Sequence, residues 1–112
     1  MKAEIKRWQN RILKIKQELL ELGEMRPGAL SKQFNVCGKA GCRCKDAQNP
    51  KKHRPYYQIS YTHLGKSTTE FVKREAVVET RKQLANHLKF KHLTQEWVDL
   101  SLRIAKAKRQ AK

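Results

Sequence analysis

An α+β fold is what this sequence predicts: an N-terminal helix, a small three-stranded antiparallel sheet, and a long kinked C-terminal helix packing on the first. Three observations predict it. Both ends carry apolar residues at alternating spacings of three and four; the middle carries runs of period-two alternation; and all three cysteines fall within eight residues between the first and second of those runs. With 112 residues, a single domain is the natural count, divided into a helix over 1–24, a sheet and cysteine-rich turn over 29–73, and a helix over 74–110.

The first helix is read from Ile5, Trp8, Ile12, Ile15, Leu19 and Leu22, an a/d seam of two and a half heptads. Its other faces are basic early (Lys2, Lys6, Arg7, Arg11, Lys14, Lys16) and acidic late (Glu18, Glu21, Glu24). Acids at a helix C-terminus oppose the macrodipole, so tertiary contact must hold this helix. Gly23 is the expected stop, and Pro27-Gly28 a turn. The basic half reads equally as a solvated face or as a nucleic-acid-binding one.

A first strand is expected over 29–36, where Leu30, Phe34 and Val36 alternate with Ser31, Gln33 and Asn35, and Lys32 interrupts the apolar side. A hairpin follows: Tyr57, Ile59 and Tyr61 alternate with Tyr56, Gln58 and Ser60, then His63-Leu64-Gly65-Lys66 turns into S-T-T-E-F-V-K. One face of the sheet should pack on a helix. The other would carry Gln58, Ser60, Thr62, Thr68 or their neighbours toward a partner. Tyr56 or Tyr57 could stack on a base, although packing in the core or beside the cysteines is the favoured role for these rings.

The last helix opens at Arg74-Glu75-Ala76-Val77-Val78, with Val77, Leu84 and Leu88 in one stripe and Arg81 in phase. From Phe90 the phase changes to Phe90, Leu93, Trp97, Leu100, Ile104 and Ala107, and Thr94 marks a kink or a new N-cap there. Two matching seams, each with one Trp, are most economically explained by an antiparallel helical pair; the same seams would serve a homodimer.

Between the strands lies the chemistry. Cys37, Cys42 and Cys44 offer three thiolates in C-x4-C-x-C spacing, with Gly38 and Gly41 allowing a tight backbone. His53, returned by the turn-rich stretch K-D-A-Q-N-P-K-K, is the expected fourth ligand, ahead of His63 and of water or a carboxylate. The expectation is a zinc knot between strands 1 and 2. Four protein ligands would make the Zn2+ structural, with no open position for hydrolysis. Free thiols would stand exposed to oxidation in so polar a loop. An iron–sulfur cluster lacks its usual spacing here. A catalytic thiol, activated by Lys39, Arg43 and Lys45, is less expected than three cysteines sharing a metal.

Charge points to the partner. The chain has 26 Lys and Arg against 10 Asp and Glu, a net +16 that draws in polyanions and exceeds what solubility needs. Lys39, Arg43, Lys45, Lys51, Lys52 and Arg54 surround the knot, and Lys66 and Lys73 flank the third strand. These are the expected phosphate contacts, with Tyr56 beside them. The basic end R-I-A-K-A-K-R-Q-A-K could also reach phosphate. A strand or hairpin suits the major groove of duplex DNA, whereas A-form RNA has one too narrow for it; structured RNA stays open through loops and stacked aromatics. DNA is therefore slightly favoured. The acids Asp46, Glu70, Glu75, Glu79, Glu96 and Asp99 are scattered and give no paired set for two-metal chemistry, so no enzyme is expected. A membrane partner is not expected, because the seams are narrow and no run is long enough to span a bilayer. The N-terminus M-K-A-E-I-K-R-W lacks a signal peptide's apolar core, and an odd cysteine count argues against a disulfide framework; both suit an intracellular, cytoplasmic protein.

Two resemblances bear on these expectations. The string V-C-G-K-A-G-C-R-C…H-R-P-Y-Y…G-K-S-T-T-E-F-V, with L-T-Q-E-W after it, resembles an uncharacterised family of small bacterial and archaeal proteins. That family carries C-G-K-x-x-C-x-C…H-G-P-Y-Y and is often labelled transposase-associated. The likeness spans roughly residues 26–100, and Arg54 stands where the family usually has Gly. The family is uncharacterised and supplies no function of its own; with the basic charge, its label makes an accessory factor of a mobile element the expected setting. Tyr57 to Leu84 is similar to the arm-type DNA-binding domain of tyrosine recombinases, a three-stranded sheet backed by a helix and laid in the major groove; this likeness is at the level of the fold and implies no catalysis. The alternatives to a mobile-element factor are an RNA-binding component of a ribonucleoprotein and a non-catalytic assembly protein acting through its heptad helices.

Overall fold

The computed structural model describes residues 2–34 and 55–110. The order of elements is α1 (Lys2–Glu21), β1 (Ala29–Gln33), β2 (Tyr56–His63), β3 (Lys66–Val72), a 3-10 turn (Arg74–Ala76) and α2 (Val77–Gln110). The α+β class and the order helix, sheet, helix are those expected. The chain forms two compact units, one of Met1–Arg26 with Ala85–Lys112 and one of Pro27–Leu84; α2 contributes to both. Among the described residues, no helix is long and apolar enough to cross a membrane.

In the first unit α1 and the later part of α2 run antiparallel. Two contacts fix the sense: Asn86 Nδ2 donates to the Glu24 carbonyl at 2.9 Å, and Arg11 reaches Glu96. The middle of the seam is the one the 3-4 spacing predicts. Ile15 is fully buried with Leu93 and Leu100, and Trp8, Ile12, Leu19 and Trp97 pack around them. Phe90 departs from the expected seam: it is 38% exposed and stacks on His87, with ring centroids 6.5 Å apart. Leu22 lies just beyond the end of α1, where its N–H donates to the Leu19 carbonyl in a tight final turn. That turn ends the helix; Gly23 does not take the positive φ of a glycine cap.

Arg11 forks onto Glu96, its Nε and Nη2 donating at 2.6 and 2.8 Å, and Nη1 lies 3.5 Å from Glu18. The hydrogen bond from Arg11, and then its charge, hold the Glu96 carboxyl below its ordinary value despite partial desolvation. Both side chains are about two-fifths exposed, so the solvent screens the pair.

Thr94 neither caps nor interrupts α2. Its hydroxyl donates back to the carbonyls of Phe90 and Lys91, and the helix runs unbroken from Val77 to Gln110. The change of phase at Phe90 instead separates two packing partners. Val77 and Leu84 belong to the sheet's core, and Leu93 and Leu100 to the helical pair's.

The second unit is the sheet, in the order β1-β2-β3, all antiparallel. Ile59 at the centre of β2 faces Leu30 on one side and Glu70 on the other. Ile59, Val72 and Val77 form its core, with Leu30, Tyr57 and Leu84 against it, so one face packs on the start of α2 as expected. The β2–β3 turn is Leu64-Gly65, with φ of 52° and 78°. Two positive φ values match the right-handed twist of a two-residue hairpin. Leu64 pays a steric penalty there and is 92% exposed. Gly28 enters the sheet at φ 136°, and a Cβ on it would lie 2.9 Å from the Ser60 carbonyl oxygen. The first strand, expected over 29–36, is Ala29–Gln33 among the described residues, and Asn35 and Val36 lie outside them. Phe34 stands 51% exposed with the Lys32 Nζ 5.5 Å from its ring centroid.

Three measurements check these assignments. Gly28→Ala will lower the thermal midpoint of unfolding, whereas Leu64→Asn will raise stability by about 0.5–1 kcal/mol by suiting the positive φ. Ile15→Ala will cost about 2–5 kcal/mol in denaturant unfolding, against no more than about 1 kcal/mol for Glu96→Gln. The Glu96 contribution is present above the ordinary carboxylate range and is lost as pH falls through its lowered pKa, so Glu96→Gln should flatten the acid limb of the stability profile.

Candidate nucleic-acid interface

The second face of the sheet follows from the register. Ala29 pairs with Ser60, Ser31 with Gln58 and Gln33 with Tyr56; Phe71 pairs with Gln58, Thr69 with Ser60 and Ser67 with Thr62. Paired residues share a face. Opposite the core, then, lie ten side chains, and none of them is charged in a chain whose charged share is 32%. Eight are hydroxyl, amide or aromatic side chains of polar reach, and the others are Ala29 and Phe71.

This face is exposed where it counts. Ser60, Thr62, Ser67 and Thr69 are exposed, Gln58 and Tyr56 are half-buried, and Phe71 is 67% exposed. Cross-strand hydroxyl pairs steady it: Ser60 Oγ lies 3.2 Å from Thr69 Oγ1, and Thr62 Oγ1 lies 2.9 Å from Ser67 Oγ. Ser31 Oγ donates to the Gln58 carbonyl at 3.4 Å. The amide side chains of Gln33 and Gln58 have no hydrogen bond among the described residues. A neutral field of donors and acceptors with an exposed ring offers hydrogen bonds and one aromatic face to whatever lies against it.

Gln58, Ser60 and Thr62 stand on this face as expected. Thr68 does not: it pairs with Tyr61 and so shares the core face. The two tyrosines part company. Tyr57 packs against the Ile59 core, while Tyr56 is on the open face. Phe71 and Thr69 were missed in the sequence, although period two from Val72 would have found them. Lys66 and Lys73 are exposed, at the start of β3 and just after its end. The Tyr61 hydroxyl donates to Glu70 Oε1 at 2.7 Å, on the opposite face.

The expected metal ligands Cys37, Cys42, Cys44 and His53 lie outside the described residues, as do Lys39, Arg43, Lys45, Lys51, Lys52 and Arg54. The alternative ligand His63 is exposed at the hairpin end of β2, paired with Lys66. Gln33, the last residue of β1, pairs with Tyr56, the first of β2, at the opposite end of that strand from His63, about 23 Å away. Among the described residues, no group of three His, Cys, Asp or Glu is placed to hold a metal.

The chain belongs to the family described as domain of unknown function (DUF6788), whose model matches residues 3–82. No curated protein and no solved structure matches it.

The split between the two faces has a direct check. Phe71→Ala should change folding stability by less than about 0.5 kcal/mol, as exposed sites do. Val72→Ala, one residue on and buried, should cost about 2 kcal/mol. Equal costs in chemical denaturation would mean that Phe71 is covered.

Proposed function

We propose that this member of the family is a nucleic-acid-binding protein that lays the open face of its sheet against duplex DNA. The observation that carries the reading is the neutral, exposed face of Gln58, Ser60, Thr62, Thr69 and Phe71 in a chain of net +16. A polyanion partner calls for charge to attract it and neutral donors to read it. Charge and readout would be divided here between different parts of one unit. Lys66 and Lys73, with the basic residues of 39–54, would hold phosphates and set register. The Gln58 amide and the hydroxyls would meet base edges in the major groove, which admits a strand ribbon.

The cysteine-rich segment serves that purpose by holding shape. Cys37, Cys42 and Cys44 with His53 are a donor set that suits tetrahedral Zn2+, and three thiolates with one imidazole would leave the site near −1. The six basic residues from Lys39 to Arg54 exceed that charge and leave an excess for phosphate. His53 suits the fourth position better than His63, which stands at the far end of β2. The resemblance to transposase-associated proteins makes an accessory factor of a mobile element the natural setting, with a role in binding and not in catalysis.

Fluorescence anisotropy with a labelled duplex, titrated at several salt concentrations, tests the reading. The protein should bind with log K falling linearly with log salt. Gln58→Ala and Phe71→Ala should reduce discrimination between sequences and leave the salt slope nearly unchanged. Lys66→Gln with Lys73→Gln should lower the slope by about 1–2. Stripping the metal with a chelator should weaken binding, and one zinc per chain should be found by elemental analysis. No binding to duplex at low salt would sink the proposal, and preference for a folded RNA would move the reading to a ribonucleoprotein component.

A further inference from the structure

Antiparallel packing does something to charge that neither helix does alone. Residues 2–14 of α1 hold five Lys and Arg against one Glu, and residues 97–110 of α2 hold four against one Asp. The pair sets these segments side by side, so that end carries a net +7. Toward the other end, residues 15–26 hold two basic residues against three acids, and residues 85–96 hold two against one, a net of zero.

The same pair also sorts charge by side. The Arg11–Glu96 bridge closes one side of the seam. With steps of three and four residues, Glu4, Glu18, Glu96 and Asp99 fall toward that side, and Glu21 falls behind it. On the other side Lys16 Nζ sits over Trp97, 5.2 Å from its ring centroid. There α1 presents Lys2, Lys6, Gln9, Leu13, Lys16 and Leu20; α2 presents Phe90, Lys91, Thr94, Val98, Ser101, Ala105 and Lys108 with Arg109 at the margin. Neither α1 nor residues 85–110 of α2 place an acid on that side. Lys2, Lys6, Lys108 and Arg109 are exposed and have no ion pair among the described residues.

We propose that this acid-free side of the helical pair docks on the phosphate backbone of duplex nucleic acid, through Lys2, Lys6, Lys16, Lys108 and Arg109. The inference rests on the reading that the partner is nucleic acid, and it places a second contact surface in the unit that lacks the sheet. Lys2 to Lys16 spans about 21 Å along α1, the length of about six base-pair steps. Gln9, Ser101 and Ala105 between the cations are short or hydrogen-bonding and let a backbone approach. The surface has no array of amides for base edges, so its contribution is independent of sequence. A lipid surface fits it less well. The core-facing stripe of each helix is taken up by the Ile15–Leu93–Leu100 seam, and the exposed Leu13, Leu20, Phe90 and Val98 stand apart among cations and polar side chains and form no continuous stripe to insert.

The test uses two variants of the full chain with equal change in net charge. One reverses the acid-free side (Lys2→Glu, Lys6→Glu, Lys108→Glu, Arg109→Glu). The other reverses the bridged side (Arg7→Glu, Lys14→Glu, Arg103→Glu, Lys106→Glu). Each has a Gln counterpart in case the Glu version fails to fold, and circular dichroism checks helix content. Binding to a mixed-sequence duplex of 30 base pairs is followed against salt. The first variant should lose at least tenfold in affinity for every sequence and lower the salt slope by about 3–4; the second should lose clearly less. Equal losses would mean that only the overall field matters and would overturn the docking surface, as would no loss in either. Larger loss of binding to phosphatidylserine vesicles than to duplex would also overturn it, in favour of a lipid partner. If the unaltered protein binds no nucleic acid, the underlying reading fails; if the sheet variants weaken binding and these do not, this inference alone fails.

Discussion

The register of β2 is the constraint on which the second unit depends. Ile59 is fully buried at the middle of the central strand, and its partners Leu30 and Glu70 are set by it. Side chains alternate with period two, so a slip of one residue would bring Gln58 and Ser60 into the core and put Ile59 in water. Burying Ile59 therefore also decides the opposite face. Every residue offered to a partner is there because its neighbour is committed to Val72 and Val77. The Leu64-Gly65 turn supports the same register by closing the hairpin with two positive φ values.

In the helical unit the corresponding constraint is the seam. Its apolar contacts hold the pair, and the Arg11–Glu96 fork, being solvent-screened, adds orientation more than stability. Orientation has consequences for charge. Parallel helices would have set the basic start of α1 beside a stretch of α2 with a smaller charge excess. Antiparallel packing instead gathers the two basic segments at one end. The unfavourable acids near the end of α1 are tolerated because packing, and not the intrinsic preference of the helix, stabilises it.

If both the proposed function and the further inference hold, the sheet would supply the readout and the helical pair a second, sequence-independent contact. A neutral face can discriminate because its hydrogen bonds are short-ranged and directional. A cationic side attracts from farther and is indifferent to sequence. Both readings draw on residues with exposed side chains and little part in the core, so the proposed contacts can be altered without unfolding the protein.

Much of this architecture was legible in the chain. The spacing of Ile5 to Leu22 and of Phe90 to Ala107 implied a helical pair, the alternation around Ile59 implied the hairpin, and His63-Leu64-Gly65-Lys66 its turn. Local periodicity suffices for such features because each element buries one stripe or one face. Phe90, Thr94 and Gly23 were misread for a shared reason: whether a seam position is covered, a threonine caps or a glycine ends a helix depends on what lies opposite. The composition by itself determined a basic protein suited to a polyanion, and the cysteine spacing by itself raised the metal. Only the tertiary structure decided that Tyr57 is core while Tyr56 is not, that ten uncharged side chains share one surface, and that the cations of two distant segments meet. Those are relations between residues far apart in sequence, and strand register and helix orientation alone bring them together.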